Sequence, residues 1–376
     1  GPVVSVAFMG DWGGITGSMD GTAKIWGGEG GPSGPTEVSG EIMSQTWTRD
    51  HSPYRIVGPV FIPPSETLNI NAGVEVQFVT NVPFLVAGGL NVNGGYMDSV
   101  RFHGFDSNWG GIRFVGMEPV AKPSYVPAPA AYLNGVIIEG ATAPGGETRA
   151  DSSGGGIYVG PGREVNISNS NIRNNSALLA GGGAYVDVGG SLWVYQTKIS
   201  GNWAGSGGGG VAATGGAIHL SESGVVGNNA ATFGGGIAVG GEGSLNLWQT
   251  GVRNNISGGG GGIALFDGSS ANLEQSFITQ NSVVAQNGTA GVGGGILGAY
   301  SSVNAWRTVI AKNSGRGGGG AISGQNLNAT LDFVTIADNI TPASGAAFLV
   351  ENSEISLSNS IVWANLSDTP FNFGQN

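Results

Sequence analysis

One pattern limits what this chain can fold into more than any other. From residue 154 onward an aliphatic-x-x-Asn tetrad returns at a nearly constant interval. The tetrads end at Asn175, Asn202, Asn229, Asn255, Asn281, Asn313, Asn339 and Asn365, in steps of 27, 27, 26, 26, 32, 26 and 26 residues. Gly clusters keep pace with them, at 154–156, 181–183, 207–210, 234–236, 258–262, 293–295 and 317–320. The one long step absorbs an insertion near 284–292, which reads as a loop. Self-similarity at a fixed period of this size is the mark of a solenoid, in which each repeat buries its apolar face only against its neighbours.

The residue types decide which solenoid. The repeats are rich in Val, Ile, Thr, Trp and Ser with Gly punctuation, which favours strands and turns. They lack the Leu-x-x-Leu-x-Leu and helical segment of leucine-rich repeats. A parallel β-helix with coils of about 26 residues and three short strands per coil remains. Three residues before each Asn lies a β-branched aliphatic: Ile172, Ile199, Val226, Val252, Ile278, Ile310, Ile336 and Val362. Positions eight and ten before it share one face of a strand. They read as core, from Val165 and Ile167 to Ile355 and Leu357, with His219 and Ser221 falling into that stack.

The polar columns read as folding devices. Stacked Asn amides can hydrogen-bond along the axis and satisfy backbone groups at a bend. A Ser/Thr column runs five before the Asn through Ser170, Thr197, Thr250, Ser276, Thr308 and Ser360, interrupted by Gly224 and Val334. The Gly clusters supply positive φ at a third corner. Asn255, Asn339 and Asn365 sit in glycosylation sequons, but an inward Asn carries no glycan.

Composition narrows the function classes. Gly supplies 73 of 376 residues, yet not at every third position, so the chain is not collagen. The formal charge of −11 argues against a nucleic-acid groove and against an anionic membrane surface. Without Cys there are no disulfides, thiolate chemistry or Cys-based metal sites. No apolar run is long enough for a membrane-spanning helix.

The chain divides unevenly. Residues 1–2 read as the scar of a cleaved tag, and 27–46 as a Gly/Pro-rich linker. The β-helix is assigned to 47–376, irregular until 154, with a surface loop at 119–131. Residues 3–26 differ. Ser5-Val-Ala-Phe8, Thr16-Gly-Ser-Met-Asp-Gly-Thr22 and Ala23-Lys-Ile-Trp26 closely resemble one WD repeat. One such blade cannot close a propeller, so it reads as part of a larger array or as a cap. The short stretch after the last tetrad carries no evident cap, which reads as a fragment of a larger protein or as residues 366–376 folding over the open end.

The Gly-Gly-Gly/Ala-Ile element paired with aliphatic-x-x-Asn resembles the repeats of chlamydial polymorphic membrane proteins, with Ile or Val where those carry Phe. Ser358 to Asn365 also resembles large secreted bacterial β-helix proteins. More broadly, residues 50–370 resemble the pectate-lyase-like right-handed parallel β-helix superfamily. That resemblance implies an extracellular or cell-surface protein, often an adhesin, and leaves activity open.

Candidate chemistry is sparse. A pectate-lyase-like site needs clustered carboxylates for Ca2+ beside an Arg or Lys base, and the acids of the regular coils are scattered. His103-Gly104-Phe105-Asp106 is the nearest approach to a catalytic motif. One surface column stands out. Seven before the Asn, facing outward, come Ser168, Tyr195, Glu222, Trp248, Glu274, Trp306, Asp332 and Ser358. Coils stack about 4.8 Å apart, so alternate aromatics lie about 10 Å apart. Tyr195, Trp248 and Trp306 are therefore the expected binding residues, for a glycan or a cell-surface protein. The expected function is a non-catalytic, adhesin-like scaffold needing no cofactor, with Ca2+ as the one candidate ion. The alternatives are a polysaccharide lyase or glycoside hydrolase with its site near 103–132, and a structural protein that self-associates end to end.

Overall fold

The computed structural model describes residues 35–95, 97–106, 108–115, 130–285 and 291–367, together with the backbone strands Val3–Phe8, Gly14–Ser18, Ala23–Trp26 and Phe371–Phe373. The chain winds into an all-β parallel solenoid of about 11 turns. A representative coil has a first strand at Ile157–Val159, a second at Glu164–Ser168, a third at Asn171–Arg173 and a two-residue strand at Ser176–Ala177. Each pairs in parallel with its counterpart one coil later, at Ala184–Val186, Ser191–Tyr195, Lys198–Ser200 and Trp203–Ala204. The same pairing repeats down to Phe348–Glu351, Glu354–Ser358 and Ile361–Trp363. The described residues hold no helix long and apolar enough to cross a membrane.

Inward residues stack on their equivalents, and this builds the core. The third strands contribute Ile172, Ile199, Val225, Val252, Ile278, Ile310 and Ile336, all fully buried. The second strands add Val165 and Ile167, Leu192 and Val194, Ile218 and Leu220, Leu245 and Leu247. Toward the start the stack becomes aromatic, with Trp47 on Tyr54 and Phe78 on Trp109. A coil with a neighbour on both sides has its inward side chains sealed without a globular core, whereas on the last full coil Leu357 is 43% exposed.

The ladder amides bond along the axis and to the backbone. Asn202 donates its backbone N–H and one side-chain N–H to Oδ1 of Asn228, at 3.0 and 2.9 Å, and its other side-chain N–H to the carbonyl of Ile172 at 3.0 Å. This unit recurs from Asn175 through Asn255, Asn281, Asn313 and Asn339 to Asn365. The hydroxyl column works alongside it. Backbone N–H groups of Ser170, Thr197, Ser223, Thr250 and Ser276 donate to the hydroxyl oxygen of the next coil.

One coil is registered a residue earlier than the tetrad count suggests. Asn228 carries the ladder, and Asn229 is exposed on the two-residue strand. In this register Val225 replaces Val226 in the core, Ser223 fills the gap attributed to Gly224, and Ile218 and Leu220 replace His219 and Ser221. The earlier frame keeps the aliphatic and hydroxyl columns intact, and a slip of one residue would turn the second strand's apolar residues to solvent. Val334 does interrupt the hydroxyl column, as a buried aliphatic.

The corners explain the Gly usage. Gly154, Gly181, Gly208 and Gly234 have positive φ. The residue after each has no room for a side chain: a Cβ on Gly209 would lie 2.4 Å from the carbonyl oxygen of Asn229. Two further left-handed corners occur one and six residues before each ladder Asn, as at Asn254 and Gln249. The positive φ thus falls before the ladder residue, leaving its amide free to bond along the axis.

The solenoid also starts earlier than expected. Thr36–Glu41 and Gln45–Trp47, which lie in the expected linker up to residue 46, pair in parallel with Tyr54–Ile62 and Thr67–Asn71. Val3–Phe8, Gly14–Ser18 and Ala23–Trp26 form a separate antiparallel three-stranded sheet. Phe371–Phe373 adds in parallel to Phe348–Glu351 as one further rung. The tag scar, residues 27–34 of the linker, 119–129 of the loop and 286–290 of the insertion lie outside the described residues.

Ladder register is directly measurable. Asn255→Ala strands two donors of Asn228 in the core, and should lower stability by about 2–4 kcal/mol, at roughly 1–3 kcal/mol per buried unsatisfied group. Asn229→Ala, on the surface, should change it by less than about 0.5 kcal/mol. Chemical denaturation of both variants checks the order, and equal effects would restore the alternative register.

Candidate functional site: an aromatic and amide face

The second strands present a long outward face. Each contributes two central outward residues, one column apart. The first column runs Tyr132, Asn166, Trp193, His219, Asn246, Asn272 and Asn304, paired coil to coil. The second runs Asn134, Ser168, Tyr195, Ser221, Trp248, Glu274, Trp306 and Asp332. Alternation along a strand puts both columns outside when residues such as Val194 and Leu247 are inside.

The three expected binding residues, Tyr195, Trp248 and Trp306, share one column, each separated from the next by one coil. Between the first two stands Ser221. Glu222, expected there, has φ 47° and occupies the corner instead, where its carboxylate accepts from Gln196 at 2.8 Å. The acid–aromatic alternation therefore holds only from Trp248 to Asp332. Trp306 is partly covered, because the Arg307 guanidinium lies 4.0 Å from its ring centroid.

The densest aromatic cluster includes residues that the sequence columns did not single out. Tyr132, Trp193 and Tyr195 are 56, 45 and 43% exposed, well beyond what a packed ring needs. Together with His219, Ser221, Asn134, Asn166 and Ser168 they line a shallow depression of about 330 Å³. Asn166 and Ser168 lie between Tyr132 and Asn134 on one coil and Trp193 and Tyr195 on the next. Ser168 donates to Oδ1 of Asn134 at 2.9 Å, and Asn166 donates to Glu164 at 3.0 Å. Trp193 stands nine before Asn202, in an outward column that the sequence reading left aside, whereas His219 was missed because the shifted register placed it in the core.

His219 joins the two halves of the face. Its ring stacks on Trp193 at a centroid distance of 3.7 Å and an interplanar angle of 5°. Its Nδ1 lies 3.3 Å from the amide nitrogen of Asn246 and accepts from it when the proton sits on Nε2. Asn272 then donates to Asn246 at 3.0 Å, and Asn304 to Asn272 at 3.2 Å. This is a second amide ladder, on the outside. Burial lowers the pKa of His219 from the ordinary value, which keeps the ring neutral and the ladder intact.

A second concavity, of about 450 Å³, lies over the first strands. Tyr185, Ala212 and Ala238 line it, with Phe233 and Phe266 in edge contact and Arg149 and Asp267 among its polar groups. Arg149 donates to the Tyr185 hydroxyl at 3.2 Å. Next to it Tyr158 donates to Asp187 at 2.7 Å, and burial, reinforced by Asp187, pushes the Tyr158 phenol above its ordinary range. Arg113 is sealed behind Tyr158, its pKa pushed down to about 10 by burial. These groups hold one another and build a wall.

The charged cluster near His103 is likewise self-paired. His103 Nε2 meets Glu75 at 2.6 Å, Arg173 meets Glu139 at 2.7 Å, and Arg101 bridges toward both carboxylates. Burial disfavours ionised Glu139, but the hydrogen bonds and charges of Arg173 and Arg101 outweigh it and hold the carboxyl below its ordinary range. A carboxylate so held is a poor general acid at neutral pH. Among the described residues no group of three or more His, Asp or Glu is placed to hold a metal ion.

No family model, no curated protein and no solved structure matches the chain.

The His219 geometry has a pH signature. A pKa lowered in the folded state means that the unfolded chain takes the proton first, so stability should fall as pH drops through the ordinary His range. An NMR titration of the ring should give a midpoint below 6.5, and a midpoint above it would contradict the neutral stack.

Proposed function

We propose that this protein is a binding scaffold without catalysis, which holds a glycan on the outward face of its second strands. The observation that carries the reading is the run of exposed rings Tyr132, Trp193, Tyr195 and Trp248 beside an outward amide ladder. Exposed aromatic surface costs solubility, and these rings stand outside a core that is already filled. Aromatic surface next to amide donors and acceptors suits sugar rings, which are apolar on their faces and hydroxylated at their edges.

The wider assignment follows from sequence resemblance. We infer a right-handed coil of the pectate-lyase-like kind, the sense that parallel crossovers favour. We also infer display outside a bacterial cell in an adhesin-like role, with the N-terminal antiparallel sheet acting as a WD-like unit beside the solenoid. A lyase or hydrolase reading is less well supported, because Glu139 and Glu75 are engaged by Arg and His partners.

A glycan array probed with the purified chain, with and without Ca2+, tests this. Binding to a subset of glycans is expected. It should fall at least tenfold in a Tyr195→Ala, Trp248→Ala double variant with an unchanged melting temperature. An array that stays silent, or a variant that binds as well as the parent chain, would sink the proposal.

A further inference from the structure

We propose that the ligand is an uncharged, flat, extended polysaccharide of the 1,4-β-linked kind, lying along the solenoid axis with one disaccharide repeat per two coils. This rests on reading the face as a glycan surface, and adds the class and direction of the chain.

Direction follows from the columns. Outward residues recur at about 4.8 Å along the axis and nowhere else on this face with such regularity. Rings recur at every second coil in the second column, where Tyr195 and Trp248 flank Ser221 and Trp248 and Trp306 flank Glu274; in the first column Tyr132 and Trp193 flank Asn166 in the same phase, before His219 and the amides follow. The repeat is thus about 10 Å, twice the strand spacing. A 1,4-β-linked ribbon turns each ring over relative to the last. It offers the same ring face every second residue, at a spacing close to that of two coils. A helical or strongly bent glycan would lose register after one ring.

Polarity is matched in the neighbouring column. Asn246, Asn272 and Asn304 each spend one N–H on the ladder, and an amide carries two N–H groups and two acceptor lone pairs. The remaining capacity recurs at every coil beside Trp248, Glu274 and Trp306, where ribbon-edge hydroxyls would pass. Ser168 and Asn166 continue the polar floor between Tyr132 and Trp193.

Charge sets the class. From Glu164 to Ser358 the outward residues of the second strands include Glu164, Glu274, Asp332 and Glu354 and no Lys or Arg. Arg307 stands at the corner and is spent on the Trp306 ring. With a formal charge of −11 overall, the surface repels a polyuronate and accepts hydroxyls.

Calorimetric titration with neutral 1,4-β-linked glucan oligomers, against 1,4-linked uronate oligomers of equal length, decides it. Affinity for the neutral series should rise in steps of two residues. Uronates should bind at least tenfold more weakly. Trp193→Ala and Trp248→Ala should each weaken the long neutral oligomers about tenfold or more, and Trp193→Phe should restore most of the loss, with circular dichroism unchanged in all three. Uronate binding as tight as neutral binding would overturn the inference, as would one sugar ring binding as well as six. If a charged or α-linked glycan binds and the same variants abolish it, the glycan surface stands and this inference falls. If no saccharide binds at all, both fall.

Discussion

The structure depends on a buried amide meeting another buried amide one coil away. An unpaired amide in the core costs more than most single interactions return, so each ladder Asn must find its successor at hydrogen-bond distance. That requirement fixes coil length more tightly than apolar packing does, because aliphatic side chains tolerate small shifts and a hydrogen bond of 2.8–3.1 Å does not. The constant period, the left-handed corner before each Asn and the glycines that let coils approach follow from it. The 32-residue coil keeps the bond by placing its extra residues outside the ladder, where Asn281 still donates to Asn313 at 3.0 Å.

With the interior fixed, sequence freedom is left to the outward columns. Most of these are small or polar, as expected of a surface with no further task. The second-strand face departs from that in a particular way. Its rings keep a large part of their surface in solvent, and its amides form a ladder where water could have served each one. Trp193 and His219 add a stack that is buried enough to lower the histidine pKa and exposed enough to touch a ligand. Side chains held in register by the backbone are pre-organised, which reduces the ordering cost of binding.

Much of the fold was legible before any coordinates, because a repeat prints its geometry many times over. Seven of the eight ladder asparagines were identified by spacing alone, and so was the outward column through Tyr195, Trp248 and Trp306. The failure was local. In the stretch Val225-Val226-Gly227-Asn228-Asn229 two frames satisfy aliphatic-x-x-Asn, and spacing does not choose between them, because both divide the distance from Asn202 to Asn255 into steps of 26 and 27 residues. That slip misplaced His219 and hid its stack on Trp193, while Tyr132 and Trp193 were missed because their outward column was not read. Comparing all columns at once would have found it, since only the earlier frame puts a hydroxyl at Ser223 and aliphatics at Ile218 and Leu220. The early coils were less legible for another reason. Their cores use Trp47, Tyr54, Phe78 and Trp109, and stacked rings impose less regular spacing than stacked Val and Ile.

The most direct test is a crystal structure of the protein with a neutral 1,4-β-linked hexasaccharide. The account predicts sugar rings over Tyr132, Trp193, Tyr195 and Trp248, with the chain parallel to the solenoid axis and its hydroxyls on the Asn246 ladder. Density for the saccharide in the Ala212 and Ala238 concavity, with the aromatic face empty, would contradict it.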